Sequence, residues 1–142
     1  MPDNDEGNVT FSSGTFLCSI EEFTSLNQAA GIETGENVRY FVGMFSDVAN
    51  RDANELEDIQ PAAIVNLYCD LYSSAKDALT IAVPKFVQGT VILADDWNTF
   101  AADTRKGERR AVAEMLENHP ELSLEPWFPY HYTGQSFFVH LD

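Results

Sequence analysis

The sequence predicts an α/β domain with two neighbouring parallel strands, and three observations carry that prediction. Residues 62–70 (AAIVNLYCD) form an almost unbroken apolar run of strand length, the pattern of a strand buried on both faces of a parallel sheet. From Ser73 or Ser74 the spacing turns helical, with Ala75, Ala78, Leu79, Ala82 and Val83 on one stripe that ends around Pro84 to Gly89. Thr90 to Ala94 (TVILA) is short, apolar and β-branched again. The unit has the length that a right-handed crossover between parallel strands requires.

The remaining elements follow from local signals. Residues 1–14 are rich in Asp, Asn, Gly and Ser and read as a loop. Ser19 and Glu22 make a capping box, Ile20, Phe23 and Leu26 share a face, and Gly31 is the stop. Val38 to Met44 (VRYFVGM) is β-rich and reads as a first strand. Residues 49–60 are polar and acidic. A further helix is expected from Lys106 to Asn118, ended by His119 and Pro120. Leu122 to Trp127 and Gln135 to Leu141 read as strands that pair as an antiparallel edge across the Pro129 to Gly134 turn region.

Bulk properties bound the partners. The 142 residues, 44% of them hydrophobic, suffice for one packed domain. A balance of 23 acidic against 8 basic side chains gives a net charge of −15, which repels nucleic acid and anionic membrane surfaces alike and also serves solubility. Two cysteines, Cys18 and Cys69, offer no disulfide framework or metal motif. With no signal segment and no apolar run of membrane-spanning length, a cytoplasmic location is expected.

Ligands of open α/β sheets bind beyond the carboxyl ends of the strands. The first such end carries Asp70 and the second Asp95 and Asp96, so three carboxylates are expected to converge. Two readings stand: the acids hold a divalent cation or work as a poised base, or they close turns and cap helices. His119, His131 and His140 have no metal-site spacing. Ser73 and Ser74 lack a nucleophile elbow. The aromatic group Trp127, Phe128, Tyr130, His131 and Tyr132 suits either a ligand pocket or hairpin packing.

In order, these pieces resemble the macrocin O-methyltransferase family, S-adenosylmethionine-dependent enzymes that methylate sugar hydroxyls. GTFLCSIEEF at 14–23, VRYFVGMFSDV at 38–48, CDLYSSAKDAL at 69–79, QGTVILADDW at 88–97, KGERRAV at 106–112 and GQSFFV at 134–139 carry the resemblance. It implies the later part of a Rossmann-like class I methyltransferase sheet with an antiparallel terminal hairpin. The implied activity is O-methylation of a hydroxyl on a sugar or other small molecule. The resemblance makes Asp70 the general base, Asp95 and Asp96 the paired ligands of Mg²⁺, and Phe45, Ser46 and Asp47 the turn that contacts the adenine of S-adenosylmethionine.

Two departures qualify it. Tyr68 stands where the family carries an aspartate that is a third metal ligand, so divalent binding is expected to be weakened or absent. The family's first two strands and Gly-rich cofactor turn have no counterpart, which makes residues 1–142 a single partial domain with unpaired apolar strand edges. Such a chain is expected to rearrange, to associate with copies of itself, or to be marginally stable. Two other classes compete: a catalytically inactive relic kept as an interaction or structural module, and a metal-dependent hydrolase built on the three acids.

Overall fold

A computed structural model describes residues 18–32, 35, 38–50 and 56–142. The loop expected over residues 1–14 lies outside them. Helix α1 spans Ile20–Ala29; the Ser19 hydroxyl accepts the Glu22 N–H at 3.1 Å, and Gly31 takes φ +78° just beyond the end. The Ser19 N-cap, which is one half of the predicted capping box, and the glycine stop therefore form where the sequence predicts. The apolar stripe of α1 makes few contacts. Phe23 packs edge-on against Tyr40, whose hydroxyl accepts from Asn27, while Leu26 stays 60% exposed.

The strand expected over Val38 to Met44 does not form. Val38 makes one isolated bridge to Gly35, and the next regular element is the short helix α2, Phe45–Ala49. Residues of β propensity become a strand only against a partner edge, and no described strand offers one here.

The strand, helix, strand unit is present as predicted: β1 (Ile64–Leu67), α3 (Tyr72–Ala82) with a 3₁₀ turn at Val83–Lys85, then β2 (Val91–Ala94) parallel to β1. Helix α4 follows at Gly107–Asn118, and the hairpin β3 (Leu122–Tyr130) and β4 (Gly134–Leu141) completes a four-stranded sheet of order β1-β2-β4-β3. Thus β4 inserts antiparallel beside β2, and only β3 is the antiparallel edge. Pro126 and Pro129 suit that edge, where a lost N–H costs no ladder bond; the register slips between them.

Helices α3 and α4 cover one face of the sheet. Leu67, Ile92 and Val139 meet Ala75, Leu79, Ala111, Val112 and Met115 in the core. Ile92 and Val139 are fully buried, each removing enough apolar surface to contribute about 2 kcal/mol.

The expectation that β1 is buried on both faces is corrected. Its side chains alternate, with Val65 and Leu67 turned to the helices and Ile64 left 65% exposed; Tyr68, just past the strand, is 71% exposed. The face they share continues through Val91 and Phe138 to Trp127, 54% exposed and stacked on Phe138 at 4.7 Å. An apolar run can thus mark a strand covered on one side only.

Candidate functional site

The carboxyl ends of β1 and β2 lie side by side because the two strands are parallel and in register, Leu67 opposite Ala94. The Asp95 N–H donates to the Leu67 carbonyl at 3.1 Å, the last direct link between the strands. Beyond it the next two amides, those of Cys69 and Asp96, point at a single side chain. Glu108 Oε1 accepts the Cys69 N–H at 3.5 Å and Oε2 accepts the Asp96 N–H at 3.0 Å. Glu108 comes from the first turn of α4 and is fully buried.

That position depends on the residue before it. Gly107 opens α4 at φ +52°, and a Cβ there would stand 2.7 Å from the Phe100 ring. Only glycine fits this approach without strain. Burial, with the charge of Asp96 second, pushes the Glu108 carboxyl up to about 8.

Two of the three predicted acids come together. Asp70 and Asp96 face one another, and partial desolvation followed by the charge of Asp96 raises Asp70 above the ordinary carboxylate range. Asp96 Oδ1 also accepts the Thr99 hydroxyl at 2.8 Å. Asp95, in the turn that begins just past β2, is bonded elsewhere. Its Oδ1 lies 3.0 Å from His131 Nε2, and its carbonyl accepts the Thr133 hydroxyl at 2.9 Å. The Thr133 N–H donates to His131 Nδ1 at 3.1 Å, which leaves Nε2 as the donor toward Asp95. His131 holds φ +37° in the turn between β3 and β4. The Tyr130 hydroxyl is buried close by and meets no partner at hydrogen-bonding geometry; burial, then Asp95, raises its pKa.

This arrangement bears on the Mg²⁺ reading. Among the described residues no three His, Cys, Asp or Glu side chains form a group that could hold a metal ion. The carboxylate of Asp95 is taken by His131, and Tyr68 is directed to solvent. The described residues do not fit the ion.

The loop after β2 is fastened on two sides. Arg109 lies over the Trp97 ring at 4.7 Å, donates from Nε to the Trp97 carbonyl at 2.9 Å and from Nη2 to Asn98 Oδ1 at 2.7 Å. The backbone N–H and side-chain amide of Asn98 both donate to the Thr133 carbonyl at 3.0 Å. Helix α4 and the hairpin turn therefore hold Asp96 in place from opposite directions.

Phe45 and Ser46 sit beside α3, in a groove of about 440 Å³ lined by Gly43, Met44, Phe45, Ser46, Ser73, Ser74 and Asp77. Exposed apolar surface on Met44 and Phe45 beside serine hydroxyls suits a flat heteroaromatic ring with polar edges. Asp47 is exposed and does not line the groove.

Sequence reasoning missed Glu108, Arg109, His131 as the partner of Asp95, and Thr133. A glutamate in the first turn of a helix ordinarily faces solvent and favours the helix dipole. The available signal was Gly107 immediately before it, a residue with poor helix propensity at a predicted helix start.

No described helix is long and apolar enough to cross a membrane. Comparison with protein-family models matches residues 3–119 to the macrocin-O-methyltransferase (TylF) family; the match ends just past α4, before the β3–β4 hairpin. No curated protein matches the chain.

Proposed function

The chain belongs to the macrocin-O-methyltransferase family, and from that premise we propose that it takes part in methyl transfer from S-adenosylmethionine to a hydroxyl of a sugar or other small molecule, with Asp70 as the base. The observation that carries the reading is the pairing of Asp70 with Asp96 at the carboxyl ends of two parallel strands. Asp70 is exposed enough to meet a substrate, and desolvation with the charge of Asp96 raises its carboxyl above the ordinary carboxylate range, which makes it a better proton acceptor than a free aspartate. As the hydroxyl oxygen attacks, its proton passes to an Asp70 carboxylate oxygen. Asp96 is held beside Asp70 by the bond from its N–H to Glu108 and by the Thr99 hydroxyl.

Phe45 and Ser46 would hold the adenine of the cofactor in the groove beside α3, where Phe45 offers a ring face and the serines offer hydroxyls. S-adenosylmethionine, when bound, supplies the methyl group. Arg109 and Trp97 fix the loop that carries Asp96, so the acid pair keeps its separation as an acceptor enters.

Titration calorimetry with S-adenosylhomocysteine tests the cofactor part: binding that Phe45→Ala weakens supports it, and silence from the wild-type chain refutes it. Methyl transfer from labelled S-adenosylmethionine to a panel of methyl glycosides tests the base. Asp70→Asn is expected to lower kcat by roughly 10²- to 10⁴-fold with cofactor binding retained; an unchanged kcat refutes the role.

One observation favours a second reading. The uncovered sheet face bearing Ile64, Tyr68 and Trp127 suits an interaction module without catalysis. A chain that ignores S-adenosylhomocysteine while remaining folded would favour that alternative.

A further inference from the structure

Glu108 is the one fully buried acid among the described core residues, and it sits under the two strand ends that carry Asp70 and Asp96. We infer that Glu108 is a positioning residue: by accepting the Cys69 and Asp96 amides it sets the separation and aim of the Asp70 and Asp96 carboxyls. Its consequence for catalysis rests on the methyltransferase reading above.

A parallel pair leaves its amides unsatisfied where the strands diverge, and a buried N–H without a partner costs about 1–3 kcal/mol. One side chain with two acceptor oxygens satisfies both strands at once, which a leucine could not do. Each accepted amide bears directly on one reacting group. Cys69 precedes Asp70, so anchoring its N–H fixes where the Asp70 Cα leaves the strand, and the Asp96 amide fixes the root of the opposing carboxyl.

The approach of α4 is built for this contact. Gly107 takes a left-handed conformation against Phe100, and Arg109, the next residue after Glu108, ties the same helix turn to the loop following Asp96. A buried acid near two others is an expensive way to fill space. An apolar residue would pack the site at lower cost but would leave both amides unpaired.

The test uses the full chain with Glu108→Gln, Glu108→Ala and, as a control, Glu114→Gln, which alters an acid of α4 bonded to Tyr72 and outside the site. Glutamine keeps the volume of glutamate but turns an NH₂ toward one of the two amides, so one bond is lost while folding is retained. Methyl transfer is expected to show kcat reduced roughly 10- to 100-fold in Glu108→Gln, with KM for S-adenosylmethionine within about twofold of wild type. The control is expected to leave both unchanged. NMR of the same proteins at one pH reads the amides of Cys69 and Asp96 and the side-chain carboxyl carbons of Asp70 and Asp96, all of which are expected to move in Glu108→Gln.

A folded Glu108→Gln with wild-type kcat and unmoved Asp70 and Asp96 carbons overturns the inference. If the wild-type chain methylates none of the acceptors, the methyltransferase reading falls, and the carboxyl resonances alone then decide the positioning role: moved, it stands; unmoved, it is refuted. Should Glu108→Ala fail to fold, Glu108→Gln carries the decision.

Discussion

Replacing Gly107 by alanine is expected to destabilise the fold more than any other single methyl added to a described glycine outside the β-hairpin. Two costs add. Gly107 has φ +52°, and an L-residue held in the left-handed region loses about 1–2 kcal/mol. The new Cβ would also meet Phe100 Cδ2 at 2.7 Å and Cε2 at 2.8 Å, with the Asp70 carbonyl 3.5 Å away. A phenylalanine ring has no flexible end to swing aside, so the overpacking adds about 1–3 kcal/mol. The sum is about 2–5 kcal/mol.

Gly89 supplies the reference. It also lies at positive φ, +85°, but nothing stands within 4 Å of its missing Cβ, so Gly89→Ala costs only the conformational part, about 1 kcal/mol. Urea denaturation of both variants, read at constant m, isolates the collision. A double-mutant cycle then assigns it: Phe100→Ala removes the obstructing ring and is expected to recover about 1–3 kcal/mol of the Gly107→Ala penalty. Equal losses for Gly107→Ala and Gly89→Ala, or no coupling to Phe100, would refute the reasoning.

Two further outcomes follow from burial. Glu108 sits at about 8 in the folded chain against an ordinary 4.5, so it binds its proton more tightly when folded; its favourable contribution is complete below pH 4.5 and is lost as pH rises through about 8. Urea midpoints are expected to fall across that interval, and a Glu108→Gln chain with the same slope would contradict the assignment. Burial also pushes the Cys69 thiol up to about 12, whereas Cys18 is exposed. Mass spectrometry after iodoacetamide is expected to find Cys18 alkylated in the native protein and Cys69 alkylated only after denaturation.

How much of this was legible in the sequence depends on whether a local rule was enough. The capping box at Ser19 and Glu22, the helical stripe from Ala75 to Val83 and the β-branched run at 90–94 are local, and α1, α3 and β2 form where those patterns place them. The segment 38–44 has strand propensity and no strand, because pairing is decided by a distant edge. The same limit applies within the site. Asp70 and Asp96 were legible as strand-end acids on neighbouring parallel strands. The turning away of Asp95 was not, because its partner His131 lies on a hairpin 36 residues along the chain. Glu108 stayed hidden for a related reason: sequence shows a helix-start glutamate, and only the docking of α4 under two strand ends gives it the Cys69 and Asp96 amides.

The order β1-β2-β4-β3 has a consequence for how the sheet assembles. The strand that joins β2 to β3 is the last of the four described strands in chain order, so the link at the centre of this sheet forms only after the other three have been made. Until Gly134–Leu141 has emerged, β2 can pair only with β1 and β3 has no neighbour. Pairing β2 with β4 links positions as far apart as Val91 and Phe138, a sequence separation that slows assembly relative to local helix formation. Nascent chains lacking those eight residues would present two unpaired apolar edges, the state from which β-rich intermediates aggregate.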